Sequence, residues 1–221
     1  GNSYTGEVLK TTEDSYTVAE ISSFQLETVH EFHPVVSAIL NITPDHLNRH
    51  HTMECYAHTK ERIAENQTKD DVCVLNMEDE ELYRFGSECK ASVVWFSSKR
   101  KPDKGAYLDG DDIRYTDGTQ DKLMLNIHDM NLLGTHNYEN VCAAIAMTKA
   151  VGIPDDIIIE QVKCFKAVEH RIEYVATKKG VWYYNDSKGT NPEASVKAIE
   201  AMVRPTILIG GGYDKGSEFD M

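Results

Sequence analysis

"VVSAILNITPDHLNRHHTMECYAHTK", residues 35–60, is where the fold declares itself. "VVSAIL" is a short apolar run rich in β-branched residues and bounded by Asn41 and Pro44, which reads as a buried strand. "MECYAHTKERIAEN" (53–66) carries the period of a helix. Strand, polar loop, helix is the repeating unit of an α/β protein. The loop between them falls where open α/β sheets bind ligands, beyond the carboxyl end of a strand. It holds Asp45 and His46, the first of four histidines between Asn41 and Lys60.

Outward from this unit the alternation continues. "YTVAEI" (16–21), "VCVL" (72–75) and "SVVWF" (92–96) read as further buried strands. "NYENVCAAIAMTKAVG" (137–152) reads as a helix closed by Gly152 and Pro154, and "DDIIIEQVKCF" (155–165) as another. "GAYLDGDDIRYTDGTQDKLMLN" (105–126) sets two Asp-Gly pairs between short alternating runs, the mark of small edge hairpins. After "AVEHR" the pattern restarts. "IEYVAT" and "VWYYND" read as strands around "KKG", "NPEASVKAIEAM" as a helix with Pro192 in its first turn, and "PTILIGGG" as a strand and loop. The expected fold class is therefore α/β, a mostly parallel sheet flanked by helices with small edge hairpins. A junction near Ala167 to Arg171 divides it into units 1–168 and 169–221.

Composition narrows the function. The 221 residues exceed a usual single core and suit two units. A formal charge of −13 opposes binding to a nucleic-acid backbone. The five cysteines are odd in number and lack a C-x-x-C pair, so neither a disulfide framework nor a zinc site is expected; a reducing cytoplasm fits. No apolar stretch reaches the roughly 18 residues of a membrane span, so no membrane insertion is expected. The Gly-Asn start, without Met, reads as that of an excised piece.

Polar groups fall at the ends of the expected strands: Glu20, Asp45 with His46, Asn185 with Asp186, and Gly210 to Gly212. In a parallel sheet these would reach similar rims. Each also has an ordinary reading. Glu20 fits a solvated rim carboxylate, and Lys60 an exposed helix lysine. His50, His51 and His58 fit solvent-facing side chains. Asn137 and Asn140, three apart at a helix start, suit either capping or the edge of a purine. Asp45 and His46 beside Glu20 point instead to a hard divalent cation, which prefers carboxylates and tolerates imidazole.

Seven motifs occur in one order along nearly the whole chain: "AEISSFQLE" (19–27), "ILNITPDHLNRH" (39–50), "YAHTKERIAEN" (56–66), "GTHNYENVCAA" (134–144), "HRIEYV" (170–175), "YNDSKGTNPEAS" (184–195) and "LIGGGYDKG" (208–216). As a set they resemble the Mur ligase family. The "SSFQLE" box is similar to that of the branch that adds D-glutamate to UDP-N-acetylmuramoyl-L-alanine. The resemblance implies a central ATP-binding domain followed by the start of a Rossmann-like domain. It also implies an ATP-dependent amide ligase of peptidoglycan-precursor synthesis, acting through an acyl phosphate and thereby serving cell-wall growth, cell shape and division.

By position, the resemblance makes Glu20 and His46 ligands of two magnesium ions, and Lys60 a carbamylated lysine at the metal site. Asn137 and Asn140 match the adenine pocket, Arg171 a nucleotide-phosphate contact and Asp186 a ribose contact. Lys188, Thr190 and Lys215 match positions near the incoming D-glutamate and the reacting phosphate, which with His46 and Lys60 form the catalytic set. Ser22 and Asn2 match positions near the muramoyl substrate. The family's phosphate loop is missing, since no G-x-x-x-x-G-K-[ST] occurs and "KGTNPEAS" lacks the following Gly-Lys. The expectation is a piece inactive by itself, prone to self-association at an uncovered sheet edge, from an enzyme that is monomeric when whole. The alternatives are another Mur-type or folylpolyglutamate-type ligase, a non-catalytic nucleotide-binding module, and a metal-dependent phosphohydrolase.

Overall fold

The computed structural model describes residues 3–166, 168–190 and 192–212. In chain order the elements are α1 (Tyr4–Glu7), α2 (Ser23–Leu26), β1 (Val36–Ile39), α3 (Leu47–His50), α4 (Met53–Glu61), β2 (Val72–Asn76), α5 (Glu80–Glu88) and β3 (Ser92–Ser97). Then follow β4 (Gly105–Asp109), β5 (Asp112–Thr116), β6 (Asp121–Asn126), α6 (Thr135–Ala150), α7 (Asp155–Cys164), β7 (Glu173–Lys178), β8 (Val181–Asn185) and α8 (Pro192–Glu200).

β1 to β6 form one sheet in sequence order. β1, β2, β3 and β4 pair in parallel, while β4, β5 and β6 form an antiparallel meander at the far edge. The pleat sorts the side chains of the parallel strands. Val74, Val94 and Phe96 face one core, which α6 covers through Val141, Cys142, Ile145 and Ala146. Cys73, Leu75, Val93 and Trp95 face the opposite core beneath Tyr56 and Ala57 of α4 and Leu82 of α5. Both faces are covered, as a largely parallel sheet requires.

The meander is built by its turns. Gly110 takes φ +61° in the two-residue link between β4 and β5, and Asp117 accepts from the backbone N–H groups of Thr119 and Gln120 in the next. Where β3 meets β4, Gly105 has φ +143°, and a Cβ there would lie 1.8 Å from the Trp95 carbonyl oxygen. α6 ends as its sequence requires: Gly152 has φ +76° and the Ile153 N–H returns to the Thr148 carbonyl.

Three expectations change. Residues 16–21 and 205–212 are not strands: Tyr16, Val18, Ile207 and Ile209 are exposed, and no neighbouring strand among the described residues receives their backbone groups. Apolar alternation makes a strand only when a ladder is there to complete it. Consequently Glu20 and Gly210 to Gly212 do not end strands, and β7 and β8 form a separate antiparallel pair, so the four polar groups do not share one rim. α5 is the helix the pattern missed. Asp79 caps it by accepting from the Leu82 N–H, and Leu82, Phe85 and Cys89 turn one face to the core, an amphipathic spacing confined to a short helix with Gly86 inside it.

Candidate active site

At the carboxyl end of β1 the backbone turns through "NITPDH". The Ile42 N–H donates to Asp79 Oδ2 at 2.7 Å and the Asn76 amide to the Leu40 carbonyl at 3.1 Å, so the loop is tied to the end of β2. His46 opens α3 in a left-handed conformation, φ 51°, uncommon for a residue with a Cβ. Asp45 Oδ1 accepts from the His46 backbone N–H at 2.8 Å, and Asp45 Oδ2 lies 3.4 Å from His46 Nε2.

Lys60, near the end of α4, is half-buried rather than a free surface lysine. Its Nζ donates to the Asn41 carbonyl at 2.9 Å and sits 5.1 Å from the centre of the Tyr56 ring. Burial pushes its pKa down, opposed by the nearby carboxylates of Asp79 and Asp45. Lys60, Asp45 and His46 therefore gather at one strand end. Among the described residues no three His, Cys, Asp or Glu side chains form a ready-made metal cluster.

Glu20 does not join them in this structure. Its carbonyl accepts from the Tyr4 hydroxyl at 2.7 Å, and its carboxylate is exposed without a hydrogen bond or ion pair among the described residues. Ser22 caps α2 in a reciprocal box with Gln25, whose side chain accepts from the Ser22 N–H at 2.8 Å. His50, expected to face solvent, is 3% exposed: Ser23, Phe24 and Tyr56 enclose it.

A second group lies at the start of α6. Asn137 Nδ2 donates to the Leu133 carbonyl at 2.7 Å, and Asn140 is exposed on the next turn. Beside Asn137, His136 is half-buried, its pKa lowered chiefly by burial and also by Lys197 and Arg171, against Glu139 and Asp186. Sequence reasoning passed over His136, although it adjoins Asn137; an apolar-pattern search does not register a half-buried imidazole. Arg171 and Lys188 are exposed, and Asp186 Oδ1 accepts from the Ile172 N–H at 2.9 Å. A cleft of about 410 Å³ runs beside Val168, His170 and Lys188. Thr190 is exposed; Asn2 and Lys215 lie outside the described residues.

Loops carrying charged groups beyond the ends of parallel strands are where α/β domains bind ligands, and this chain has that architecture. The Mur ligase middle domain matches residues 3–148. The chain belongs to the Mur ligase family.

Relatives agree. A UDP-N-acetylmuramoylalanine–D-glutamate ligase of Lachnospira eligens is 85% identical over the whole chain, which spans 49% of that relative. The ligase of the same name from Clostridioides difficile is 49% identical over the whole chain, again 49% of the relative. The chain thus spans about half the length of the curated relatives it matches. Among solved structures, MurC of Thermotoga maritima aligns with a TM-score of 0.59 and 20% identity over 81% of this chain and 39% of that one. MurF of Acinetobacter baumannii aligns with a TM-score of 0.60 and 17% identity, over 78% and 38%. These two share the fold. No helix among the described residues is long and apolar enough to cross a membrane.

Proposed function

We propose that this chain is the central part of a cytoplasmic, ATP-dependent amide ligase that joins D-glutamate to UDP-N-acetylmuramoyl-L-alanine in peptidoglycan-precursor synthesis. The reading is carried by the meeting of Lys60, Asp45 and His46 at the end of β1, in a chain 85% identical to a relative named for that reaction. In it, residues 1–168 are the ATP-binding domain and 169–221 the first part of a Rossmann-like one.

The γ-phosphoryl group of ATP passes to the L-alanyl carboxylate and ADP leaves. The amino group of D-glutamate then attacks the acyl carbon, loses a proton, and phosphate departs. The first transfer brings two anions together, so alignment and charge neutralisation dominate its barrier. Magnesium, when bound, supplies that neutralisation, and it is commonly held by one or two carboxylates together with substrate phosphates. Asp45, His46 and a carbamate on Lys60 suit that role without a preformed three-residue cluster; Glu20 is assigned to a second ion.

Carbon dioxide adds only to a neutral amine, and a free lysine with a pKa of about 10.4 is almost wholly charged at neutral pH. Burial of Lys60 favours the neutral amine and so makes it a better acceptor, while the Asn41 carbonyl and the Tyr56 ring hold its position. Its carbamate would extend a carboxylate toward Asp45 and His46. Asn137 and Asn140 would receive adenine, Arg171 and Asp186 the phosphate and ribose. Lys188, Thr190 and Lys215 would face D-glutamate and the reacting phosphate, with Ser22 and Asn2 near the muramoyl group.

The test is phosphate release from ATP by a protein of the relatives' full length carrying this chain, supplied with the muramoyl nucleotide. Release that requires D-glutamate is the expected result. ATP consumption indifferent to any amino acid would identify a phosphohydrolase instead, and dependence on a different amino acid would move the chain to another branch of the family.

A further inference from the structure

His50 is the most buried histidine of the "NITPDHLNRHHTMECYAHTK" segment, and a polar ring withdrawn from water needs partners. Its Nε2 lies 3.0 Å from Ser23 Oγ, inside the box that Ser22 caps. Its Nδ1 lies 3.9 Å from Glu27 Oε1. Glu27 is held in turn by Arg49, one residue before His50, through contacts of 3.1 and 2.7 Å.

The ring also completes a stack. One side lies against Phe24, centroids 5.8 Å apart and planes within 14°, and Phe24 in turn meets His46 at 4.9 Å. Another side meets Tyr56 at 5.2 Å, the ring that Lys60 Nζ overhangs. The rings of Phe24, His50 and Tyr56 thus run unbroken from His46 to Lys60, with a hydrogen bond to Ser23 at the middle. A core histidine serving only packing would not need to join α2, α3 and α4 at the residues adjoining three assigned site positions.

We propose that His50 is a positioning residue that holds the Ser22–Glu27 box and the His46–Lys60 metal site as one unit, so that the muramoyl substrate and the magnesium-binding groups are set in register. This rests on the proposed ligase reading for its substrate. The position of the box itself does not, and that separates the two tests.

In the full-length ligase, His50→Leu removes the hydrogen bond while keeping an apolar filler, and His50→Gln keeps a polar atom near the place of Nε2. The Leu variant is expected to show a KM for UDP-N-acetylmuramoyl-L-alanine, and a half-saturating magnesium concentration, both raised about tenfold, because the box and the loop are no longer held in register. The KM for D-glutamate should move less than about twofold, and His50→Gln should restore most of the loss. Amide hydrogen exchange of residues 22–27, read without substrates, should quicken in the Leu variant and remain close to the parent's in the Gln variant. Unchanged constants and unchanged exchange in His50→Leu would overturn the proposal. So would equal impairment of both variants in proportion to lost Tm, which would mark a packing role alone. If the parent shows no D-glutamate-dependent turnover, the ligase reading fails, and hydrogen exchange still decides whether His50 fixes the box.

Discussion

At Lys60 one side chain changes character with its surroundings. Long amines on helices normally stay in water, and the sequence around Lys60 is polar enough to allow that. The fold instead lays the amine over Tyr56 and against the Asn41 carbonyl, with Asp45 and Asp79 near enough to feel its charge. If Lys60 works as a carbamate, Lys60→Ala in the full-length ligase should lower kcat about a hundredfold or more, a typical loss when one group aimed at transition-state charge is deleted. Short carboxylates added to the assay should return part of the rate by standing in for the missing anion. Absence of any recovery over a full concentration series would count against the carbamate. His46 and Asp45 were legible from type and place; the left-handed backbone that aims His46, and the burial of His50, were not. The burial of His50 depends on Ser23 and Phe24 of α2, whose contact with α3 no local pattern announces.

Elements were legible in proportion to how much of their stability is local. α6 states its own period and its own glycine stop; β2 and β3 state their burial; the meander states its turns. α5 was missed because its amphipathic face, Leu82, Phe85 and Cys89, is short and interrupted by Gly86, and residues 16–21 were over-read because a strand is half of a pair. The meander also carries a pH signature. Asp121 is bound by Lys101, Tyr107 and Arg114, from three neighbouring segments, and the Lys101 hydrogen bond foremost brings its carboxyl pKa down to about 2. Its folded value lies below the unfolded value of about 3.9, so its contribution is complete above that range and is lost as pH falls toward 2. Urea midpoints measured between pH 6 and about pH 2 should therefore fall, and Asp121→Asn should be less stable near neutrality with a shallower acid limb. Asp117, held to about 2 by backbone N–H groups of the same meander, titrates in that window too, so the substitution removes only the Asp121 share. An acid limb of unchanged depth in the variant would refute this assignment.

Across the whole molecule the sheet is asymmetric. One edge is finished by the antiparallel meander, whereas β1 pairs only with β2 among the described strands. A strand with one edge unpaired, next to exposed apolar side chains such as Val35 and Leu40, is a template for another chain. The isolated 221-residue chain should then self-associate, its light-scattering mass rising with concentration. A constant monomer mass across the series would exclude edge pairing.

The sequence by itself determined the class of fold, the family and most of the residues worth testing, because turn chemistry, helix period and motif order are properties of neighbouring residues. Tertiary structure decided which of those residues meet. It brought Lys60 to Asp45 and His46, set Arg171 and Asp186 near enough to His136 to feel its charge, enclosed His50 between the Ser22 box and α4, and left Glu20 apart. These outcomes follow from strand pairing and helix packing between distant segments, where burial and hydrogen-bond partners are fixed only once the chain has closed on itself.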